Sequence, residues 1–182
     1  MQPAERKALD GAEIQGLIAE VAGRLAPSGE QHILVVVGGS LLAWQGLRET
    51  TEDVDSVHHI PAELRGVIQA IAVQRDLRLD WLNDNARWFI PVTFHLDSCD
   101  VLFEHPRLRV LGAPLRDVFI MKMYRANEAD RGDMVRIWPR LDFTAAQDVV
   151  DAYYTAYPHV ESDPYLSEFV VAIARRAGFE IS

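Results

Sequence analysis

The stretch that most restricts this chain runs from residue 32 to residue 55. An apolar run, HILVVV (32–37), stops at Gly38-Gly39-Ser40. Valine and isoleucine at that density read as a buried β-strand. The two glycines allow a turn that side chains would obstruct, and SLLAWQGL after them reads as a short helix. Beyond the spacer Leu41 to Glu52 come Asp53-Val54-Asp55, inside a second expected strand over 53–58. Residues i and i+2 of a strand share a face, so both carboxylates point one way and Val54 points into the core.

Taken singly, a glycine turn or an Asp-x-Asp pair also describes a solvent-facing edge strand. Together they place specific atoms near one another. Backbone N–H groups at the start of the helix, with the Ser40 hydroxyl, suit the outer phosphates of a nucleoside triphosphate. Two carboxylates on one face suit one or two Mg²⁺ ions bridging to phosphate oxygens. A P-loop is excluded because no Gly-Lys-Ser/Thr follows the turn. A Rossmann fingerprint is excluded because a third glycine and a long crossover before the acids are both missing.

The rest of the chain supplies an α+β core followed by helices. Asp10 and Glu13 form a capping-box pattern ahead of Ile14, Leu17, Ile18, Val21 and Leu25 at helical spacing. Pro61 opens a helix with Leu64, Val67, Ile68 and Ile71 on one face. Residues 80–98 mix a turn with one or two short strands. Over 99–104, Cys99, Val101 and Phe103 alternate with Asp100, Leu102 and Glu104. LRVLGAP reads as an edge strand stopped by Gly112 and Pro114. Helices are expected over 115–127 and near 130–139, 144–156 and 164–177, the last with Asp163 as N-cap, Pro164 at its first position and Gly178 at its end. The expected division is a domain over 1–140 and a C-terminal helical extension over 141–182. Trp81, Trp88 and Trp138 read as core residues. His58 and His59, one residue apart, fall on opposite faces, which weakens a joint ligand role.

Composition narrows the function classes. A hydrophobic content of 49% permits a real core, and the net charge of −9 argues against a general nucleic-acid coat protein. It leaves an RNA or nucleotide substrate open, because metal ions neutralise phosphate locally. The single cysteine, Cys99, removes internal disulfides and cysteine-rich zinc sites. No apolar stretch is long enough to span a bilayer and MQPAERKALD is no signal peptide, so a cytoplasmic protein is expected. Lysines are confined to Lys7 and Lys122. An ammonium inside VFIMKMY needs either a partner or a ligand, unless it snorkels to solvent.

Gly39-Ser40 followed by Asp53-Val54-Asp55 resembles the signature of the DNA polymerase beta-like nucleotidyltransferase superfamily. WLND (81–84), LFEHPRLRVLGAP (102–114) and the Lys122 helix with DRGD (130–133) are similar to a bacterial group related to the abortive-infection, type IV toxin–antitoxin nucleotidyltransferases. The resemblance spans roughly residues 32–140. It implies a nucleotidyltransferase-type mixed sheet flanked by helices, acting on a nucleoside triphosphate with Mg²⁺ or Mn²⁺. Asp53 and Asp55 would hold the metals, and Gly38, Gly39 and Ser40 the triphosphate. A third metal-binding carboxylate is also implied: alternation favours Asp100, with Asp97 and Glu104 as competitors. Lys122 would contact phosphate. Asp130 and Asp133 match family acids; Asp130 reads more simply as the N-cap of a helix starting at Arg131, and Asp133 equally suits the positive end of that helix.

The function this implies is transfer of a nucleotidyl group to an acceptor hydroxyl on RNA, such as tRNA, or on protein, in a toxin–antitoxin or phage-defence setting. The alternative is a catalytically degenerate fold acting as a nucleotide-binding protein or as partner to a cognate toxin or antitoxin.

Overall fold

A computed structural model describes residues 7–182; the segment MQPAER, part of the stretch read above as no signal peptide, lies outside the described residues. The chain divides into two compact units. The first runs to Trp88 and resumes over Cys99–Ala113; the second comprises Phe89–Ser98 and Pro114–Ser182. The boundary expected near residue 140 falls inside the second unit. Among the described residues, no helix is long and apolar enough to cross a membrane.

The first unit is built on a five-stranded mixed sheet. In chain order its elements begin with β1 (Leu9–Asp10), α1 (Gly11–Arg24), β2 (His32–Val37) and α2 (Gly38–Trp44). They continue with β3 (Thr50–Thr51), β4 (Val54–Ser56), α3 (Ala62–Arg75), β5 (Leu82–Asn83), β6 (Asp100–His105) and β7 (Leu108–Gly112). The sheet order is β5-β4-β2-β7-β6, and β1 pairs separately with β3. At the centre, β2 runs antiparallel to β4 and parallel to β7.

The Asp10–Glu13 capping box forms as expected. The Asp10 carboxylate accepts the Glu13 N–H at 2.8 Å, and Glu13 accepts the Asp10 N–H at 3.1 Å. α1 then buries Ile14, Leu17, Ile18, Val21 and Ala22, and α3 buries Leu64, Ile68, Ile71 and Ala72.

Several expectations are corrected. β7 is an interior strand, not an edge: Leu108, Val110, Leu111 and Gly112 are buried, and both its sides are paired. Gly112 and Pro114 end it, but its apolar run is the mark of a strand covered on both faces. Alternation over 99–104 breaks at a register shift between Val101 and Phe103, leaving Val101 51% exposed. The strand expected over 53–58 stops at Ser56, whose hydroxyl accepts the Val35 and His58 N–H groups and turns the chain. Trp81 is buried, with its indole N–H donating to the Ile68 carbonyl at 3.2 Å. Trp88, expected in the core, is 73% exposed and lies under the Arg87 guanidinium.

The second unit is helical, with α4 (Leu115–Arg125), α5 (Glu128–Ile137), α6 (Ala146–Ala156) and α7 (Leu166–Arg176). Val118 through Met123 are all buried on α4. Phe119 meets the buried Trp138 edge-on at 5.6 Å. The N-cap of α7 is Tyr165 rather than Asp163. The Asp163 carboxylate accepts the Tyr165 N–H, so the capping chemistry acts within the preceding turn. Gly178 ends the helix at φ +89°, as its type suggests.

Candidate active site

The glycine turn and the acid pair are joined by one hydroxyl. Ser40 is 1% exposed; its Oγ donates to the Val37 carbonyl at 2.8 Å and accepts the Asp55 N–H at 3.3 Å. Val37 and Asp55 are also register partners across β2 and β4. Ser40 therefore fixes the turn to the acid-bearing strand. Its one proton goes to a carbonyl, so the expected reach of this hydroxyl to a phosphate gives way to a bracing role.

Gly38 sits at φ +62°, a conformation strained for L side chains. A Cβ placed there would lie 3.6 Å from Asp55 Oδ2. The carboxylate thus faces bare backbone at the turn. At Gly39, a Cβ would come within 2.9 Å of an Arg48 guanidinium nitrogen and 3.1 Å of the Thr51 hydroxyl. Arg48 also donates from Nε to the Thr50 carbonyl at 2.7 Å. Arg48 belongs to none of the sequence motifs described above. Its signal was a lone guanidinium in the spacer between turn and acids.

Asp53 and Asp55 are half-buried, whereas Val54 and Ser56 between and after them are fully buried. β4 begins only at Val54, so alternation turns Asp55 away from the buried Val54 and Ser56, while Asp53 stands just ahead of the strand expected to carry it. The Thr51 hydroxyl donates to the Asp53 carbonyl at 3.1 Å, and the Val54 N–H donates to the Trp81 carbonyl at 2.6 Å. Both ends of the acid pair are therefore anchored through backbone.

On the far side of β4, the register partner of Asp55 is Asn83. The Asn83 Oδ1 accepts the Asn85 N–H at 2.9 Å, so the amide braces its own turn. Asp84, next in sequence, is buried, and burial pushes its carboxyl up. The Ile60 N–H, His59 and Arg65 outweigh that and hold it below the usual carboxylate range. His59 is thus a partner of Asp84, and His58 is exposed.

The expected third carboxylate is not beside the pair. Asp100 opens β6 opposite Gly112, and β7 and β2 separate it from β4. Three strand spacings amount to about 14 Å, too far for its carboxylate to share one ion with Asp55. Glu104, on the same outer strand, accepts from Gln31 and pairs with Arg109. Asp97 lies in a short turn of the second unit. Among the described residues, no cluster of three or more His, Cys, Asp or Glu is placed to hold a metal. The donor set that remains is two carboxylates beside open backbone. It fits a Mg²⁺ ion that keeps waters and takes phosphate oxygens as its other ligands.

In the second unit, Lys122 is 6% exposed, and its ammonium meets two carboxylates, Asp130 at 3.0 Å and Asp133 at 2.7 Å. Both acids are buried, at 3% and 1% exposure. Arg125 and Arg136 approach them from the exposed side at 3.5 and 3.3 Å. The expected phosphate contacts of Lys122 and Asp133 are thereby replaced by an internal ion network, because two buried carboxylates repel a phosphate. Asp130 is not an N-cap: Asn127 caps α5, accepting the Asp130 N–H at 2.8 Å.

A mixed sheet whose glycine turn is braced against the strand bearing Asp55, with Asp53 just ahead of it, is an arrangement suited to phosphate-bearing substrates. A family described as "Nucleotidyltransferase of unknown function (DUF6036)" matches the chain over residues 13–176. The chain belongs to that nucleotidyltransferase family. No curated protein and no solved structure matches it.

Proposed function

We propose that this chain is a metal-dependent nucleotidyltransferase of the polymerase beta-like type, with Asp53 and Asp55 as its metal-binding pair. The observation that carries the reading is the Ser40 bracket, which holds the bare Gly38 backbone against Asp55 Oδ2. A substrate's phosphates can approach there without meeting a side chain. In the proposed reaction an acceptor hydroxyl oxygen bonds to the α-phosphorus of a nucleoside triphosphate. The bond from that phosphorus to the β-bridging oxygen breaks, pyrophosphate leaves, and the hydroxyl proton passes to solvent.

The backbone of Gly38–Ser40 positions the phosphates, and Arg48 lends positive charge beside the turn. Asp53 and Asp55 hold Mg²⁺ or Mn²⁺, which when bound neutralises phosphate charge and polarises the reacting oxygens. Positioning and charge neutralisation carry most of such a reaction, so few side chains are needed. The acceptor is an RNA, such as tRNA, or a protein hydroxyl. The similarity to abortive-infection proteins suggests a toxin–antitoxin setting.

The test is incubation with each labelled triphosphate, Mg²⁺ or Mn²⁺, tRNA and cell protein. Transfer that is lost in Asp53→Asn and Asp55→Asn supports the assignment, and transfer that survives both overturns it. A second reading rests on the missing third carboxylate beside the pair: a fold that binds nucleotide without turning it over and acts as a partner protein. Nucleotide binding with no labelled product, together with co-purification of a neighbour-encoded protein, would favour it.

A further inference from the structure

The second unit contains a cavity of about 320 Å³ that the proposed transfer chemistry does not use. This lies at the small end of the range for small-molecule sites, roughly 300–1,000 Å³, and suits one ring system better than a whole triphosphate. Its walls are largely aromatic and apolar: Tyr153, Tyr154, Tyr165, Phe169 and Met123 line it.

Tyr153 is the informative residue. Its ring is buried, at 6% exposure for the residue, while its hydroxyl makes no hydrogen bond to any described residue and is not among the polar atoms cut off from solvent. Its neighbours on α6 do find partners: Tyr157 donates to the Phe89 carbonyl at 2.6 Å, and Tyr154 accepts the Asp163 N–H at 2.7 Å. A tyrosine with a buried ring usually keeps its hydroxyl either bonded within the protein or open to a polar partner outside it. One whose open hydroxyl lines a cavity is placed for a ligand.

The remaining polar groups define that ligand's edge. Arg131 lies over the Phe169 ring at 5.6 Å and supplies N–H donors. Asp163 and Glu161 supply acceptors on the same lining. Asp163 is held in place, because its carboxylate accepts the Tyr165 N–H at 2.8 Å while its own N–H is fixed by Tyr154. Flat aromatic walls, a guanidinium donor, carboxylate acceptors and a hydroxyl that does both call for a planar heterocycle with acceptors and N–H donors on its rim.

We infer that this cavity binds a nucleobase. Guanine is the best match, since an arginine reads its O6 and N7 acceptors and a carboxylate accepts from its N–H groups. The inference concerns a second site and does not depend on Asp53 or Asp55.

The experiment is calorimetric titration of the full chain with guanosine, adenosine, cytidine and uridine, which carry no phosphate. Guanosine should bind most tightly. Tyr153→Phe should weaken it about two- to tenfold, the worth of a neutral hydrogen bond, while leaving the melting temperature unchanged because no protein partner is lost. The Asp53→Asn/Asp55→Asn double variant should bind guanosine like the wild type, so failure of nucleotidyl transfer leaves this result intact. The source of the base is read from two further ligands, Mg²⁺-GTP and a guanine-containing trinucleotide. Whichever gains affinity over guanosine and loses it in Tyr153→Phe delivers the base. Absence of saturable nucleoside binding, or equal affinity in Tyr153→Phe and wild type, overturns the inference.

Discussion

Lys122→Met separates a scaffold lysine from a phosphate-binding one. In the wild type the ammonium lies 3.0 and 2.7 Å from carboxylates that are almost wholly buried. Methionine preserves most of the volume, so the change isolates charge. Removing one partner of a buried ion pair costs about 3–5 kcal/mol, because the opposite charge is stranded away from water. Here two acids would be stranded, but each also has an arginine more than half exposed near it. Those arginines offset part of the penalty and place the expected loss near the lower end, about 3 kcal/mol. For a chain of this length each kcal/mol shifts the midpoint by about 2–4 °C, so the melting temperature should fall by about 6–12 °C. Thermal unfolding followed by circular dichroism measures it. The triple variant Lys122→Met/Asp130→Asn/Asp133→Asn removes the stranded charges as well and should recover much of the loss. A single variant melting within a degree or so of wild type, or above it, would refute the ion-network role and return Lys122 to the phosphates.

Other perturbations have equally definite outcomes. Burial pushes the Asp117 carboxyl up, so the folded state holds its proton more tightly, and stability falls as pH rises from the ordinary carboxylate range through the raised value. Asp117→Asn should therefore raise the melting temperature at pH 7 and make little difference near pH 3. Asp84 has the opposite sign: its stabilising contribution is present above the unfolded value and disappears as pH falls through the lowered one, so Asp84→Asn should flatten the acid limb of the stability profile. Arg107 is buried and donates to the carbonyls of Ala26, Ser28 and Glu30 and to Glu63. Arg107→Met should cost about 1–2 kcal/mol in urea titration, since the 26–30 loop and Glu63 lose the donor that ties them together but, being exposed, can turn to water. Gly38→Ala should cost about 1–2 kcal/mol through its left-handed backbone and reduce transfer by more than that stability loss explains, because the new Cβ stands beside Asp55.

The legible parts of the molecule were those governed by local chemistry. HILVVV, the glycine turn, the Asp10 capping box and the burial of Val54 beside half-buried Asp55 depend on residues close in sequence. The corrections involve long-range partners. Whether LRVLG lies at an edge depends on which strands flank it, and both β2 and β6 do. Asp100 satisfied the alternation rule, yet a register shift and two intervening strands decide where it stands. Lys122 and Asp133 both drew attention, but their closeness follows from the packing of α4 on α5, which periodicity does not specify. Trp88 is expected in the core with the other tryptophans, and its exposure is a property of the short Asn85–Phe89 turn that carries it.

The central placement of β7 also bears on how the chain is made. β2 can find β4 soon after the turn, but its other edge must wait for Leu108–Gly112. Until then Leu34 to Val37, apolar and β-branched at its three valines, offers an open hydrogen-bonding edge to any neighbouring chain. Parallel pairing between distant segments is also slow to form, because the loop must close before the contacts stabilise it. The same strand that carries the glycine turn is thus the segment most exposed to misassembly during synthesis. Expression at lower temperature, or beside a chaperone that shields apolar strands, should raise the soluble yield more than changes to the helical second unit.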